Sequence, residues 1–285
     1  MARLRLTLTL KLNCSIYSSK GCGIMKIGLR VSFSKPEKSG EHPFEPALKF
    51  ASRLGLDGVE LCLDPRSPWG DDFGAWSEDL TIEDRRRIVE LCRNYGVELA
   101  SLSSDWAWGY SRYCPKLKHW SRGLEILKED MKLTADLGGR VLLIHFGVSR
   151  AENWDEAKNV LLSLVDAAEA YGVKLGLEGG IWARLGLGGL LELCRMVDEI
   201  ASDHLGVYEH CYWPRGTMKP HEEIELVGRR IVALHSGRID LKNVDYEAMF
   251  KALKKYYDWY WMFEIDEWSE VEESLNLLRE LMKRY

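Results

Sequence analysis

Several strand-like runs in this sequence end on a side chain able to do chemistry. "VKLGLEGG", residues 173–180, carries its apolar alternation up to Glu178 and then passes into two glycines. His145 closes "RVLLIH", Glu209 and His210 close "LGVYEH", His235 closes "RIVALH", and Glu264 follows "WYWMF". Glu60 lies inside "DGVELCL", and Ser103 and Ser104 end the run that starts at Val97. A carboxylate beside a packed core costs several kcal/mol unless its charge is compensated. Two acids brought together would repel and drive one pKa upward. A divalent cation relieves both penalties. Mixed carboxylate and imidazole ligands suit Mn, Zn, Co or Fe; Mg accepts imidazole less readily, and Ca takes oxygen ligands.

The elements that must position these groups follow from periodicity. From Met25 onward, short apolar runs alternate with longer helical patterns. Strands are expected over 26–32, 57–63, 97–103, 140–146, 173–178, 205–210, 230–235 and 259–265. Helices are expected over 44–54, 81–95, 119–137, 152–171, 187–201, 220–228, 245–256 and 269–284. Thr81 and Asp84 have near capping-box spacing, and Gly55, Gly96, Gly138 and Gly172 stand where helices should stop. Strands alternating with helices imply a parallel sheet, and eight such units imply one (β/α)₈ TIM barrel over residues 25–285. The stretch after the first strand, "RVSFSKPEKSG", lacks the GxGxxG of a dinucleotide-binding sheet.

In such a barrel chemistry sits at the C-terminal ends of the strands. Alternation then gives direction. Lys174, Gly176 and Glu178 share a face; so do Ile231, Ala233 and His235, and Tyr260, Met262 and Glu264. On the sixth strand either Gly206, Tyr208 and His210 or Leu205, Val207 and Glu209 point inward. Leu205 and Val207 suit a helix-facing side, which favours His210. Glu178, His210, His235 and Glu264 are therefore the expected ligands of one divalent metal ion.

The 285-residue chain has a net charge of −5 and a pI near 5.9, which argues against general nucleic-acid or anionic-membrane binding. No apolar run has the length to span a membrane. Seven scattered cysteines without a CxxC pair read as reduced thiols in a cytoplasmic protein. Glutamine is absent while Glu, Lys and Arg abound, a thermophile-like usage. Residues 1–24, beginning "MARLRLTLTLKL", read as an N-terminal extension: a flexible leader, an added edge strand or a start placed too early.

Taken in order, "LGLDGVEL", "GRVLLIHFG", "YGVKLGLEGG", "RIVALHSGRID" and "WYWMFEIDEW" resemble the xylose isomerase-like TIM barrel family of sugar phosphate isomerases and epimerases. The resemblance covers nearly all of residues 25–285. It implies one divalent ion held by acids and a histidine from strands five to eight, at Glu178, the Glu209/His210 position, His235 and Glu264. It also implies that Glu178 and Glu264 form an acid–base pair, one taking a proton from carbon beside a carbonyl and the other returning it. The chain departs from the family at strand six, where Asp-x-x-His is replaced by "HCYW", residues 210–213. The further metal-binding histidines of the endonuclease branch are missing, which argues against a DNA-repair nuclease.

The expected substrate is a small sugar, polyol or related hydroxy-carbonyl compound. Glu60 is expected to bond a sugar hydroxyl or to cap the barrel, and His145 to face substrate or support the ion. Arg238 is expected to hold a carboxylate or phosphate oxygen. Trp108 and Trp213 are among many tryptophans in strand-to-helix loops, where aromatic faces stack on sugar rings. A lyase of the inosose dehydratase type and a non-catalytic sugar-binding barrel without metal are the competing readings. Similar enzymes are commonly dimers, so a homodimer is expected.

Overall fold

A computed structural model describes residues 25–64, 69, 72–74, 76–104, 120–145, 154–178, 189–211 and 218–285. Eight strands form a closed parallel barrel in sequential order. They are β1 (Lys26–Val31), β2 (Gly58–Cys62), β3 (Glu98–Ser103), β4 (Val141–Ile144), β5 (Lys174–Glu178), β6 (Leu205–His210), β7 (Ile231–Ser236) and β8 (Tyr260–Phe263). The described helices are α1 (Glu45–Arg53), α2 (Ile82–Tyr95), α3 (Trp120–Asp136), α4 (Trp154–Tyr171), α5 (Leu190–Ile200), α6 (Pro220–Val227), α7 (Tyr246–Tyr256) and α8 (Trp268–Arg284). Each strand and helix expected from the sequence is present, with ends shifted by a few residues.

Local chemistry explains several boundaries. Thr81 Oγ1 accepts from the Asp84 amide at 3.2 Å, and Asp84 Oδ2 accepts from the Thr81 amide at 2.9 Å, which closes the first turn of α2. α2 ends at Gly96 with φ 65°, a left-handed conformation that a Cβ disfavours. Gly55, Gly138 and Gly172 also have positive φ at the ends of α1, α3 and α4.

Two separate cores result from the alternation along each strand. Leu205 and Val207 of β6, Leu175 and Leu177 of β5, and Trp261 and Phe263 of β8 belong to the large core shared with the helices. Tyr208 of β6 packs instead with Val141, Leu143 and Ala233, and Tyr260 and Met262 of β8 pack with Ala100. These smaller clusters fill the barrel. Glycines make room for them: a Cβ on Gly176 would lie 2.8 Å from Tyr208 Cδ2, and one on Gly28 would lie 2.8 Å from Met262 Sδ. At the N-terminal end, Glu98 accepts from Lys26 at 2.7 Å and from the Tyr260 hydroxyl at 2.8 Å. Above the apolar fill, toward the C-terminal ends, the inward positions turn polar. Among the described residues, no helix is long and apolar enough to cross a membrane.

Candidate metal centre

β6 settles the choice that the sequence left between two neighbours. His210 continues the inward set of Gly206 and Tyr208, and its ring lies 5.1 Å from that of His235 on β7, edge to face. The backbone register pairs the same two residues across the β6–β7 ladder. Glu209 is buried on the opposite, helix-facing side. There its charge acts on Cys194 of α5, whose thiol is pushed up to about 11, chiefly by burial.

One ligand atom from each of His210, His235 and Glu264 lies within 4.8 Å of the others. Glu264 Oε2 is 3.6 Å from His235 Nδ1 and 4.0 Å from His210 Nδ1. Donors about 2.0–2.2 Å from a common ion stand roughly 3–4.4 Å apart, so modest side-chain adjustment would let the three share one. His235 supplies the best test of fit. Its Nδ1 is buried and has no hydrogen-bond partner among the described residues, while its Nε2 lies 2.7 Å from Glu60 Oε1. Burial holds the His235 pKa below the usual imidazole value against the pull of Glu60, which favours the neutral ring. A neutral imidazole with an unshared, inward lone pair is what a metal ligand requires. The set therefore fits a divalent ion.

Glu178 stands outside that group of three. Its Oε1 lies 2.8 Å from His210 Nε2, and its Oε2 lies 2.7 Å from His145 Nδ1 at the end of β4. Burial alone would raise its pKa, but the two imidazoles reverse that and hold the carboxyl well below the usual carboxylate range. Five of the residues marked out by sequence thus meet: His145, Glu178, His210, His235 and Glu264.

The other expectations fare differently. Glu60 does not open to the mouth of the barrel. It is fully buried, and its Oε2 accepts from Ser101 Oγ at 2.7 Å and from the Tyr208 hydroxyl at 2.5 Å, while Oε1 faces His235. Both of its oxygens thus face protein groups. Its pKa is lowered because His235, Tyr208 and Ser101 together outweigh the large opposing effect of burial. Arg238 is two-thirds exposed and paired with Glu270 of α8. Trp108 and Trp213 lie outside the described residues.

Arg30, not among the residues marked out by sequence, also reaches the group. It is the last inward residue of β1, with Nη1 3.8 Å from Glu264 Oε1 and Nη2 donating to Cys62 Sγ at 3.1 Å. The signal was available: Lys26, Gly28 and Arg30 alternate on one face of "KIGLRV", as Lys174, Gly176 and Glu178 do on β5.

A family model described as xylose isomerase-like TIM barrel matches residues 48–281. Among solved structures, a xylose isomerase domain protein from Planctomyces limnophilus is 17% identical with a TM-score of 0.68, covering 93% of this chain and 99% of its own. An L-ribulose 3-epimerase is 18% identical with a TM-score of 0.64, over 91% of this chain and 95% of its own. D-psicose 3-epimerase from Clostridium cellulolyticum is 13% identical with a TM-score of 0.69, over 90% and 99%. No curated protein matches the sequence.

Proposed function

Because the chain belongs to the xylose isomerase-like TIM barrel family, we propose that it is an isomerase or epimerase of a small sugar or related hydroxy-carbonyl compound, working with one divalent metal ion. The observation that carries the reading is the meeting of His210, His235 and Glu264, with the unshared Nδ1 of His235 turned into the group. These three would hold the ion, with Glu178, which abuts His210, as the fourth candidate. The bound ion would supply positive charge to the oxygens of a hydroxy-carbonyl substrate and make the neighbouring carbon more acidic.

Glu178 and Glu264 are the two carboxylates assigned to the proton: one takes it from that carbon and the other returns it. They approach the group from two sides, Glu178 on β5 and Glu264 just after β8. Glu264 is the more open of the two, with 27% of its side chain exposed, and Arg30 sets a positive charge beside it. Glu178 is held in its ionised form by His145 and His210. The solved sugar 3-epimerases that share the fold support a sugar substrate. Histidine at position 210, where the family usually has aspartate, makes the ligand set less negative and favours Mn, Zn, Co or Fe over Mg.

The test has two measurements on protein purified without chelator. Metal content after Mn²⁺ or Zn²⁺ supplementation should approach one ion per chain. A panel of ketoses incubated in deuterated water should then show metal-dependent deuterium uptake beside the carbonyl, with no loss of water. Less than ~0.2 ion per chain would favour a non-catalytic barrel. A product lighter by one water would move the chemistry to a dehydratase.

A further inference from the structure

Glu60 is held at both oxygens inside the barrel, and the proposed proton transfer does not use it. It is a fully buried carboxylate that meets residues from three other strands: Ser101 of β3, Tyr208 of β6 and His235 of β7. Both hydroxyls donate to the same oxygen, Oε2. That leaves Oε1 to face His235 Nε2 at 2.7 Å. A carboxylate oxygen in that position is an acceptor, so the Nε2 it meets must carry the proton.

We propose that Glu60 is a positioning residue that locks His235 into its Nε2–H tautomer and so keeps the Nδ1 lone pair turned toward Glu264 and the ion. The proposal rests on the metal-dependent reading of the site. Three features give it physical content. An imidazole has two neutral tautomers, and only one leaves Nδ1 able to bind a cation. The buried Nδ1 has no hydrogen-bond partner among the described residues, and the nearby carboxylate oxygen of Glu264 is 3.6 Å away. Ser101 and Tyr208 hold the other oxygen of the Glu60 carboxylate, so it cannot turn without breaking two hydrogen bonds. An outer carboxylate that accepts from a ligating histidine also strengthens that histidine as a ligand. The Tyr208 hydroxyl thereby connects the apolar filling of the barrel to the site, since its ring packs with Val141, Leu143 and Ala233.

The test reads the tautomer and metal affinity separately. Long-range ¹⁵N–¹H correlation on the metal-free wild type should show His235 protonated at Nε2. Cobalt titration, followed by visible absorbance, should show Glu60→Leu binding Co²⁺ about 10–100-fold more weakly than wild type. Glu60→Gln keeps an acceptor for His235, so it should retain the tautomer and fall between the two in affinity. Thermal melting identifies whether Glu60→Leu folds; if it does not, wild type and Glu60→Gln decide the matter. Protonation at Nδ1 in the wild type overturns the proposal, as does folded Glu60→Leu with wild-type Co²⁺ affinity and an unchanged tautomer. If the wild type binds no Co²⁺, the metal-dependent reading fails, while the tautomers of wild type and Glu60→Gln still report on what Glu60 does to His235.

Discussion

The two ends of the barrel interior are held together by different forces. Toward the N-terminal ends of the strands, Tyr260 and Met262 pack with Ala100, and Tyr208 with Val141, Leu143 and Ala233. Large side chains stand against glycines there: Met262 against Gly28, Tyr260 against Gly58, and Tyr208 against Gly176. Size complementarity and dispersion stabilise that half. Toward the C-terminal ends, Glu60, Glu178, His210 and His235 are as deeply buried as the hydrophobic residues below them. Burial there opposes stability unless every charge is met. The lower half gains from excluding water, while the upper half arranges groups that would individually be more stable in water. The lower half supplies the rigidity that keeps the upper groups in place.

Variants in each half should separate these roles. Glu178→Gln is expected to have the largest effect, lowering turnover by roughly 10²–10⁴-fold while leaving the melting temperature nearly unchanged. Steady-state kinetics beside thermal melting would check it, and a folded Glu178→Gln with full turnover would remove Glu178 from the proton path. Met262→Ala should show the reverse pattern. It leaves a void in the lower half and should cost about 2–5 kcal/mol in urea unfolding, with turnover per folded molecule preserved. If its turnover fell in step with its stability, the two halves would not be separable. Arg238→Ala sets the baseline. Its pair with Glu270 is exposed, so stability should stay within about 0.5 kcal/mol and neither kcat nor KM should change. A raised KM would bring Arg238 back toward the substrate.

Much of this site was legible because alternation along a strand is a local property. "VKLGLE" places Glu178 on the face shared with Gly176, "IVALH" does the same for His235 with Ala233, and no distant residue is needed to read it. The identical logic would have found Arg30 on β1. Glu60 shows where it stops. The sequence placed it in the barrel but could not show that its oxygens were already occupied, because its partners are 41, 148 and 175 residues away. Arg238 shows the converse. It follows a strand that carries a site residue, yet the loop turns it toward Glu270 of α8.

The sequence by itself determined the eight alternating units, their capping signals, and the inward face of strands such as β5 and β8. Those depend on hydrogen bonds and side-chain periods spanning only a few residues. Tertiary structure decided which inward residues touch: that His210 and His235 meet edge to face, that Glu178 meets His145 and His210, and that Glu60 meets His235. The reason is register. The ladders between β2 and β3 and between β6 and β7 each contain a shift, at Val59/Glu60 and Val207/Tyr208. A one-residue slip moves side chains to the opposite face relative to their neighbours. Closure of the whole sheet, rather than any one segment, therefore sets the height at which these imidazoles and carboxylates face one another.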